Sequence, residues 1–139
     1  DRETGGVRID RLIAVADCGV VVNPVLLIGQ MHGGIVHGLG NALMEDAIYD
    51  EATGQLLSGT LMDYALPRAD DVPQLRVETI ATPSPNNFLG LKGVGELPTN
   101  GAPAAIANAV LDALRPLGVR HLDMPITAHK VWQALNDLN

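Results

Sequence analysis

The chain has 139 residues, and nine lysines and arginines against 16 aspartates and glutamates give a formal net charge of −7. This acidic balance argues against a nucleic-acid partner, whose phosphates would be repelled. Hydrophobic residues make up 47% of the sequence, which excludes a disordered chain. The only cysteine is Cys18, which excludes an internal disulfide and a cysteine-ligated iron–sulfur cluster.

The sequence contains no segment typical of a signal peptide or a membrane span. The most apolar stretch, 20–44, is interrupted by a proline and several polar residues, whereas a spanning helix needs about 20 nearly uninterrupted apolar residues. Residues 1–6 are polar and lack the charged and then apolar build of a signal peptide, so we expect a cytoplasmic protein without a membrane partner. Because the first residue is Asp1 rather than methionine, we expect a processed subunit or a part of a longer polypeptide.

The first half of the chain predicts a strand followed by a long helix. β-Branched residues alternate over 7–15, and residues 20–22 could extend this strand. Asn23 and Pro24 then form a helix-start signal, with asparagine as the N-cap and proline at the first helical position. The helix is predicted over 24–45. Its apolar face would contain Leu27, Met31, Ile35, Leu39 and Leu43.

The second half predicts shorter elements. A hairpin over 48–57 with Gly54 at its turn precedes a loop over 61–72 and a strand over 75–81. Residues 82–103 form the least regular segment, and two helices follow. These helices are predicted over 104–114 and 128–138. The order favours an α+β fold, with short strands and helices in mixed layers. The length predicts a single domain over 1–139, or one piece of a larger domain.

Five glycines fall within the first predicted helix, at a cost of roughly 0.5–1 kcal/mol each relative to alanine. They are Gly29, Gly33, Gly34, Gly38 and Gly40. Something must therefore approach this backbone closely. Either a neighbouring helix or strand packs tightly against it, or a bulky cofactor lies along it. The N-terminus of the helix is also suited to a phosphate, because free N–H groups and the positive end of the dipole meet there.

Glu96 follows Gly93 and Gly95 in the irregular segment. A carboxylate held in a glycine-bounded loop beside a buried site could serve as a general base. The plainer alternative is a solvated loop acid. These glycines do not form a dinucleotide-binding fingerprint, because Pro98 stands where the third glycine would be and no strand leads into the motif.

Several motifs, taken together, resemble the C-terminal part of the molybdenum-binding large subunit of the xanthine dehydrogenase/aldehyde oxidase family. They occur in the family's order and cover about residues 7–115, and the glycine-rich helix is closer to the bacterial carbon-monoxide-dehydrogenase-like branch. The motifs are Ala16-Asp17-Cys18-Gly19, Val22-Asn23-Pro24, Gly29-Gln30-Met31-His32-Gly33-Gly34, Asp63-Tyr64-Ala65-Leu66-Pro67, Lys92-Gly93-Val94-Gly95-Glu96 and Gly101-Ala102-Pro103-Ala104-Ala105.

The resemblance implies an oxidoreductase with a molybdenum–pyranopterin cofactor, in bacteria usually molybdopterin cytosine dinucleotide. Such enzymes hydroxylate an aldehyde or N-heteroaromatic carbon with oxygen derived from water, and the cofactor carries the hard chemistry. Electrons then leave through iron–sulfur clusters and usually FAD. We expect those centres on other domains or chains. The implied partners are the rest of the large subunit, an iron–sulfur subunit, a flavin subunit and a small-molecule substrate.

The resemblance also assigns roles to single residues. Glu96 stands at the position of the family's general base, which acts on the metal-bound hydroxide. Asn23, Pro24 and Gln30 would hold the phosphates and the pterin, and no residue is expected to bind the metal directly. The full cofactor-binding set implied is Asn23, Pro24, Gln30, Gly34, His37, Lys92, Gly93, Val94 and Gly95. Many family members have glutamine where this chain has His37.

Two other functions stay open at this point. The first is a non-catalytic assembly piece that keeps the fold of such a complex but binds no cofactor. The second is a nucleotide-binding module, which the missing third glycine disfavours.

Overall fold

The computed structural model describes residues 1–137. This range contains two strands and three α-helices. Short 3₁₀ turns lie at Ala69–Asp71 and Arg115–Leu117. The elements are β1 (Arg11–Asp17), α1 (Pro24–Leu43), β2 (Gln74–Ile80), α2 (Leu97–Leu114) and α3 (Ala128–Asn136). The strands pair in parallel, from Arg11 opposite Gln74 to Asp17 opposite Ile80. The α+β fold class is therefore confirmed.

Helix α1 begins at the predicted signal. The side chain of Asn23 accepts a hydrogen bond from the N–H of Leu26 at 3.1 Å, and Pro24 occupies the first turn, where no N–H donor is needed. The predicted apolar face is confirmed, because its first four residues are buried and Leu43 packs against the core. The helix ends at Leu43, slightly before the predicted end at 45.

Helix α2 is the main correction to the sequence prediction. It begins at Leu97 rather than at 104, so residues 97–103 are helical although they were predicted to be irregular. Pro98 is tolerated because it lies in the first turn, whose N–H groups have no partner within the helix. Pro103 lies inside the helix. The extension matters because it makes Glu96 the N-cap residue of α2.

The remaining predictions differ from the structure mostly at their ends. Strand β1 begins later than residue 7, and residues 20–22 do not extend it. Strand β2 differs from the predicted 75–81 by one residue at each end. The hairpin is confirmed by a bridge between Tyr49 and Leu56 and by Gly54, whose φ is +72°. Helix α3 begins as predicted, but predicted residue 138 lies outside the described residues.

Helices α1 and α2 pack side by side, and two glycines make this possible. A Cβ at Gly34 would lie 2.5 Å from Cγ of Pro98, and one at Gly38 would lie 2.7 Å from Cβ of Ala102. We call Gly34 and Gly38 the packing glycines. The main core surrounds this contact and includes Leu39, Ala42, Ile106, Val110 and Ile126.

The other glycines of α1 have different surroundings. Nothing lies within 4 Å of a Cβ built at Gly29 or at Gly33, and we call these the open glycines. A Cβ built at Gly40 would collide with the side chain of Glu45 and lie 3.0 Å from Cγ of Pro67. Tight packing therefore explains part of the glycine pattern, and the open glycines leave one stretch of backbone uncovered. None of the helices within residues 1–137 has the length and apolarity to span a membrane.

Candidate functional site

Asp17, the last residue of β1, organises the backbone around the candidate site. Its Oδ1 accepts hydrogen bonds from the backbone N–H groups of Gly19 and Thr82, both at 3.1 Å. Its Oδ2 accepts from Nζ of Lys92 at 2.7 Å. The Lys92 ammonium, followed by the two backbone donors, holds the pKa of this carboxyl well below its usual range. One carboxylate therefore joins the ends of both strands to the loop that leads to α2.

Main-chain contacts fix the same loop against the end of β1. The N–H of Val20 donates to the carbonyl of Gly90 at 3.0 Å, and the N–H of Lys92 donates to the carbonyl of Cys18 at 3.1 Å. Gly19 has a φ of +65°, and a Cβ there would contact the carbonyl oxygen of Gly90. This position requires glycine for both reasons. The contacts bring the motif 92–96 to the side of α1.

A single side chain links that motif to α1 directly. Nε2 of Gln30 donates to the carbonyl oxygen of Gly95 at 2.7 Å. Because a carbonyl can only accept, the amide nitrogen must face Gly95. The next residue, Glu96, has φ −109° and ψ 0°, and its side chain makes no capping hydrogen bond to the helix that it begins. Its carboxylate is exposed and is not used to stabilise α2.

Two adjacent clefts lie on either side of this hydrogen bond, and Gln30 and Gly95 line both of them. The first has a volume of about 440 Å³ and contains the start of α1. Its lining residues include Cys18, Val22, Asn23, Leu26, Lys92 and Val94. The second has a volume of about 400 Å³ and contains Glu96. Its lining residues include both open glycines, Gly34, His37, Thr99 and Asn100.

The structure thus brings most of the predicted site residues together. Asn23, Lys92 and Val94 line the first cleft, and Gly34, His37 and Glu96 line the second. Pro24 and Gly93 are exposed and line neither cleft. A larger depression of about 560 Å³ lies elsewhere, beside Asp10, Asp70 and Asp71, and contains none of the predicted site residues.

Three of the predicted residues also have structural tasks. The side chain of Asn23 caps α1, the ammonium of Lys92 pairs with Asp17, and Gly34 packs against Pro98. These tasks shape the clefts from the protein side. They do not depend on any bound group.

Sequence reasoning did not single out Asp17, Thr99 or Asn100 as site residues. Asp17 could have been found, because an aspartate directly after an apolar strand often accepts backbone hydrogen bonds from the following turn. Thr99 and Asn100 could not, because the start of α2 was predicted too late. Thr99 also contacts α1, since its Oγ1 donates to the carbonyl of Gly34 at 3.4 Å.

Comparison with known families identifies the fold that carries these clefts. The family model described as the molybdopterin cofactor-binding domain matches residues 1–73, more than half of the chain. The chain belongs to this family. Both open glycines and the N-cap of α1 fall within the matched part of this molybdopterin cofactor-binding domain, whereas Glu96 lies beyond it.

Relatives and solved structures agree with the assignment. The carbon monoxide dehydrogenase large chain of Hydrogenophaga pseudoflava is 42% identical over the whole chain, which covers 17% of that protein. The nicotine 6-hydroxylase large subunit of Paenarthrobacter nicotinovorans is 42% identical over 96% of the chain, which covers 16% of that protein. The crystal structure of quinoline 2-oxidoreductase from Pseudomonas putida 86 superposes with a TM-score of 0.92 at 42% identity, over 96% of this chain and 17% of that one.

The molybdopterin cofactor-binding domain described here therefore spans about one sixth of the length of these relatives, 16% to 17% in each comparison. Reconstituted CO dehydrogenase from Oligotropha carboxidovorans shows the same proportion, with a TM-score of 0.94, 37% identity and 99% of this chain covered. The relatives that match are molybdenum-dependent oxidoreductases of the xanthine dehydrogenase and CO dehydrogenase type.

Proposed function

We propose that this chain forms part of the active site of a molybdenum hydroxylase and supplies its general base, Glu96. The reaction would hydroxylate an aldehyde or N-heteroaromatic carbon with oxygen derived from water. One observation carries the proposal: Glu96 lines the same cleft as the open glycines of α1. Two of the relatives are named for N-heteroaromatic compounds, nicotine and quinoline, which supports that substrate class.

The residues around the clefts suit a molybdenum–pyranopterin cofactor, and the cytosine dinucleotide form is our expectation. The open glycines leave a stretch of α1 backbone on which a flat group could lie, since no atom occupies the space of their missing side chains. The N-terminus of α1 offers the positive end of its dipole and the N–H of Val25 to a phosphate, because Pro24 has no N–H and Asn23 already accepts those of Leu26 and Leu27. Other residues that would contact the cofactor are Pro24, Gly34, His37, Lys92, Gly93, Val94 and Gly95. When bound, the cofactor would supply the redox chemistry that oxidises the substrate carbon.

Glu96 has the features that a general base requires. Glu96 is exposed and lines the cleft, and its carboxylate is not engaged as a helix cap, so an oxygen of this group can accept a proton. Its backbone is fixed on both sides, by the hydrogen bond from Gln30 to Gly95 and by the N–H of Asn100, which donates to the Glu96 carbonyl at 3.1 Å. A positioned base of this kind typically contributes 10²–10⁴-fold to the rate.

The proposal includes partners for this chain. The matched proteins are large chains or large subunits, and we propose that the remaining large-subunit sequence, an iron–sulfur subunit and a flavin subunit assemble with this chain. Exposed apolar side chains support such contacts, because large exposed apolar areas commonly mark interaction surfaces. Met62 is 91% exposed and Phe88 is 96% exposed.

The test is Glu96→Gln in the assembled enzyme, because glutamine keeps the size of the side chain and cannot accept the proton. Carbon monoxide, nicotine, quinoline and benzaldehyde serve as probe substrates with a redox dye as electron acceptor. With any probe that the wild-type enzyme oxidises, we expect turnover to fall about 10²–10⁴-fold or more while the molybdenum content stays the same. The matched control is Glu51→Gln, an exposed turn residue, which should change neither quantity.

Three results would contradict the proposal. Unchanged turnover in Glu96→Gln would remove the role of the base. A wild-type enzyme that oxidises none of nicotine, quinoline and benzaldehyde, whether or not it oxidises carbon monoxide, would contradict the substrate class. An assembled wild-type complex without molybdenum would instead favour the non-catalytic assembly piece.

A further inference from the structure

We propose that Gln30 is a positioning residue for Glu96, acting through the carbonyl group of Gly95 rather than on the cofactor. The inference rests on the proposed function of Glu96 and adds a role that this function does not require. In this arrangement the amide nitrogen of Gln30 belongs to the protein framework, and its hydrogen bond sets where the carboxylate of the following residue lies.

The first support is the contrast between the two ends of the hydrogen bond. Gln30 lies on α1 next to Met31, which is completely buried, so the helix under it is held by the core. Gly95 lies in an exposed part of the loop, and nothing lies within 4 Å of a Cβ built at Gly93 or Gly95. Val94 packs against the buried cluster of Ala16, Cys18, Leu27 and Met31, whereas Gly95 has no side chain to pack. The 2.7 Å hydrogen bond from Gln30 therefore holds the Gly95 peptide group itself against α1.

The second support is the position of the accepting carbonyl. The oxygen of Gly95 belongs to the peptide group that ends at the nitrogen of Glu96, so fixing it fixes that peptide plane. Glycine imposes few restrictions on its own φ and ψ, so the bond from Gln30 restrains rotation at Gly95, while the bond from the N–H of Asn100 restrains the other side of Glu96. A displacement of about 1 Å in a reacting group can cost on the order of 10²-fold in rate. The hydrogen bond from Gln30 therefore restrains the backbone rotation of Gly95.

The test compares Gln30→Met with Glu96→Gln and with the double variant, all in the assembled enzyme. Methionine has nearly the same length as glutamine and no N–H donor. Gln133→Met is the matched control, because Gln133 is an exposed glutamine on α3. The measurements are kcat and KM with the probe substrate, molybdenum content, and hydrogen–deuterium exchange of the segment 92–97 in the cofactor-free protein. If Gln30→Met does not accumulate, Gln30→Leu, which also lacks an N–H donor, gives the same comparison.

We expect Gln30→Met to lower kcat about 10- to 100-fold with little change in KM and full molybdenum content. Exchange in 92–97 should become about three- to tenfold faster, as the loss of one hydrogen bond predicts. In the Glu96→Gln background, the same substitution should cause no further fall in kcat, because there is no base left to position.

Other results separate the two proposals. A loss of molybdenum that matches the loss of activity would overturn the inference and make Gln30 a cofactor contact. So would an additive fall in the double variant, or an unchanged kcat in Gln30→Met while Glu96→Gln is inactive. Those three results leave the role of Glu96 intact. Full activity in Glu96→Gln would remove both proposals.

Discussion

Gly38 of α1 lies directly against Ala102 of α2, so closely that a Cβ at position 38 would come within 2.7 Å of the Cβ of Ala102. The same Cβ would lie 2.9 Å from Cδ of Pro103. Neither neighbour is the flexible end of a long side chain, so neither can move aside without a shift of the helix. The close approach of α1 to α2 therefore requires that residue 38 has no side chain.

Gly38→Ala should destabilise the protein, although alanine is the better helix former. Overpacking of a tight contact typically costs about 1–3 kcal/mol, which exceeds the gain in helix propensity. The free energy of unfolding from denaturant titration is the measurement. Gly101→Ala on α2 is the control, since this exposed glycine has nothing within 4 Å of its built Cβ and should gain roughly 0.5–1 kcal/mol. Equal effects of the two substitutions would contradict the packing argument.

Gly33→Ala should separate protein stability from cofactor binding. Nothing lies within 4 Å of a Cβ at this position, so the cofactor-free protein should become more stable by roughly 0.5–1 kcal/mol. If the cofactor lies over the open glycines, the added methyl group should reduce the molybdenum content of the purified enzyme. Gly101→Ala should give the same stabilisation without that reduction. Full molybdenum content in Gly33→Ala would show that the cofactor does not lie there.

Asp17 should make the free energy of unfolding depend on pH at acidic pH. Its pKa in the folded protein lies well below the ordinary value of 3.8, chiefly because of Lys92. A lowered folded pKa stabilises the protein fully above the unfolded pKa, and this contribution is lost as the pH falls from about 4 toward the folded pKa. Asp17→Asn should therefore be less stable than the wild type at pH 7, and the difference should shrink below pH 4.

Lys92→Met tests the cause of that effect. Removal of the ammonium should raise the pKa of Asp17 toward its ordinary value. Much of the pH dependence that Asp17 gives to the free energy of unfolding should then disappear. Denaturant midpoints measured from pH 7 down to pH 3 give both comparisons. A constant difference between wild type and Asp17→Asn over this range would contradict the assignment.

Tyr64 should ionise at a higher pH than an ordinary tyrosine. Its hydroxyl donates to Oε2 of Glu45 at 2.7 Å, and this hydrogen bond to a carboxylate raises the pKa of the phenol above 10.0. Glu45→Gln removes the negative charge and should move the pKa back toward that value. The ultraviolet absorbance of the phenolate follows the titration, and Tyr64→Phe identifies which signal belongs to this residue. A midpoint that Glu45→Gln leaves unchanged would contradict the prediction.

Local signals predicted α1 well because its start and its buried face are both written in nearby residues. Asn23 and Pro24 satisfy the needs of a helix N-terminus, and the apolar spacing continues for several turns. The start of α2 was missed for the opposite reason. Pro98, Gly101 and Pro103 each disfavour a helix locally, yet packing against the glycines of α1 stabilises one.

The geometry of the site depends on contacts that no local pattern encodes. Gln30 and Gly95 are 65 residues apart in sequence, and Asp17 and Lys92 are 75 apart. The pairing of β1 with β2 also joins distant segments, and its register depends on the whole fold. The motifs along the sequence indicated the family without any information on these contacts. Only the three-dimensional structure distinguishes the surroundings of the open glycines from those of the packing glycines.

The open glycines and the packing glycines form two stripes along α1, and Gly33 and Gly34 show that the stripes are offset by a single residue. One residue of an α-helix corresponds to a rotation of about 100°. A one-residue insertion near the start of α1 would therefore turn the uncovered backbone toward α2, and a one-residue deletion would expose the backbone that α2 now covers. The positions of both glycine stripes therefore depend on the rotational phase of the helix as well as on its sequence.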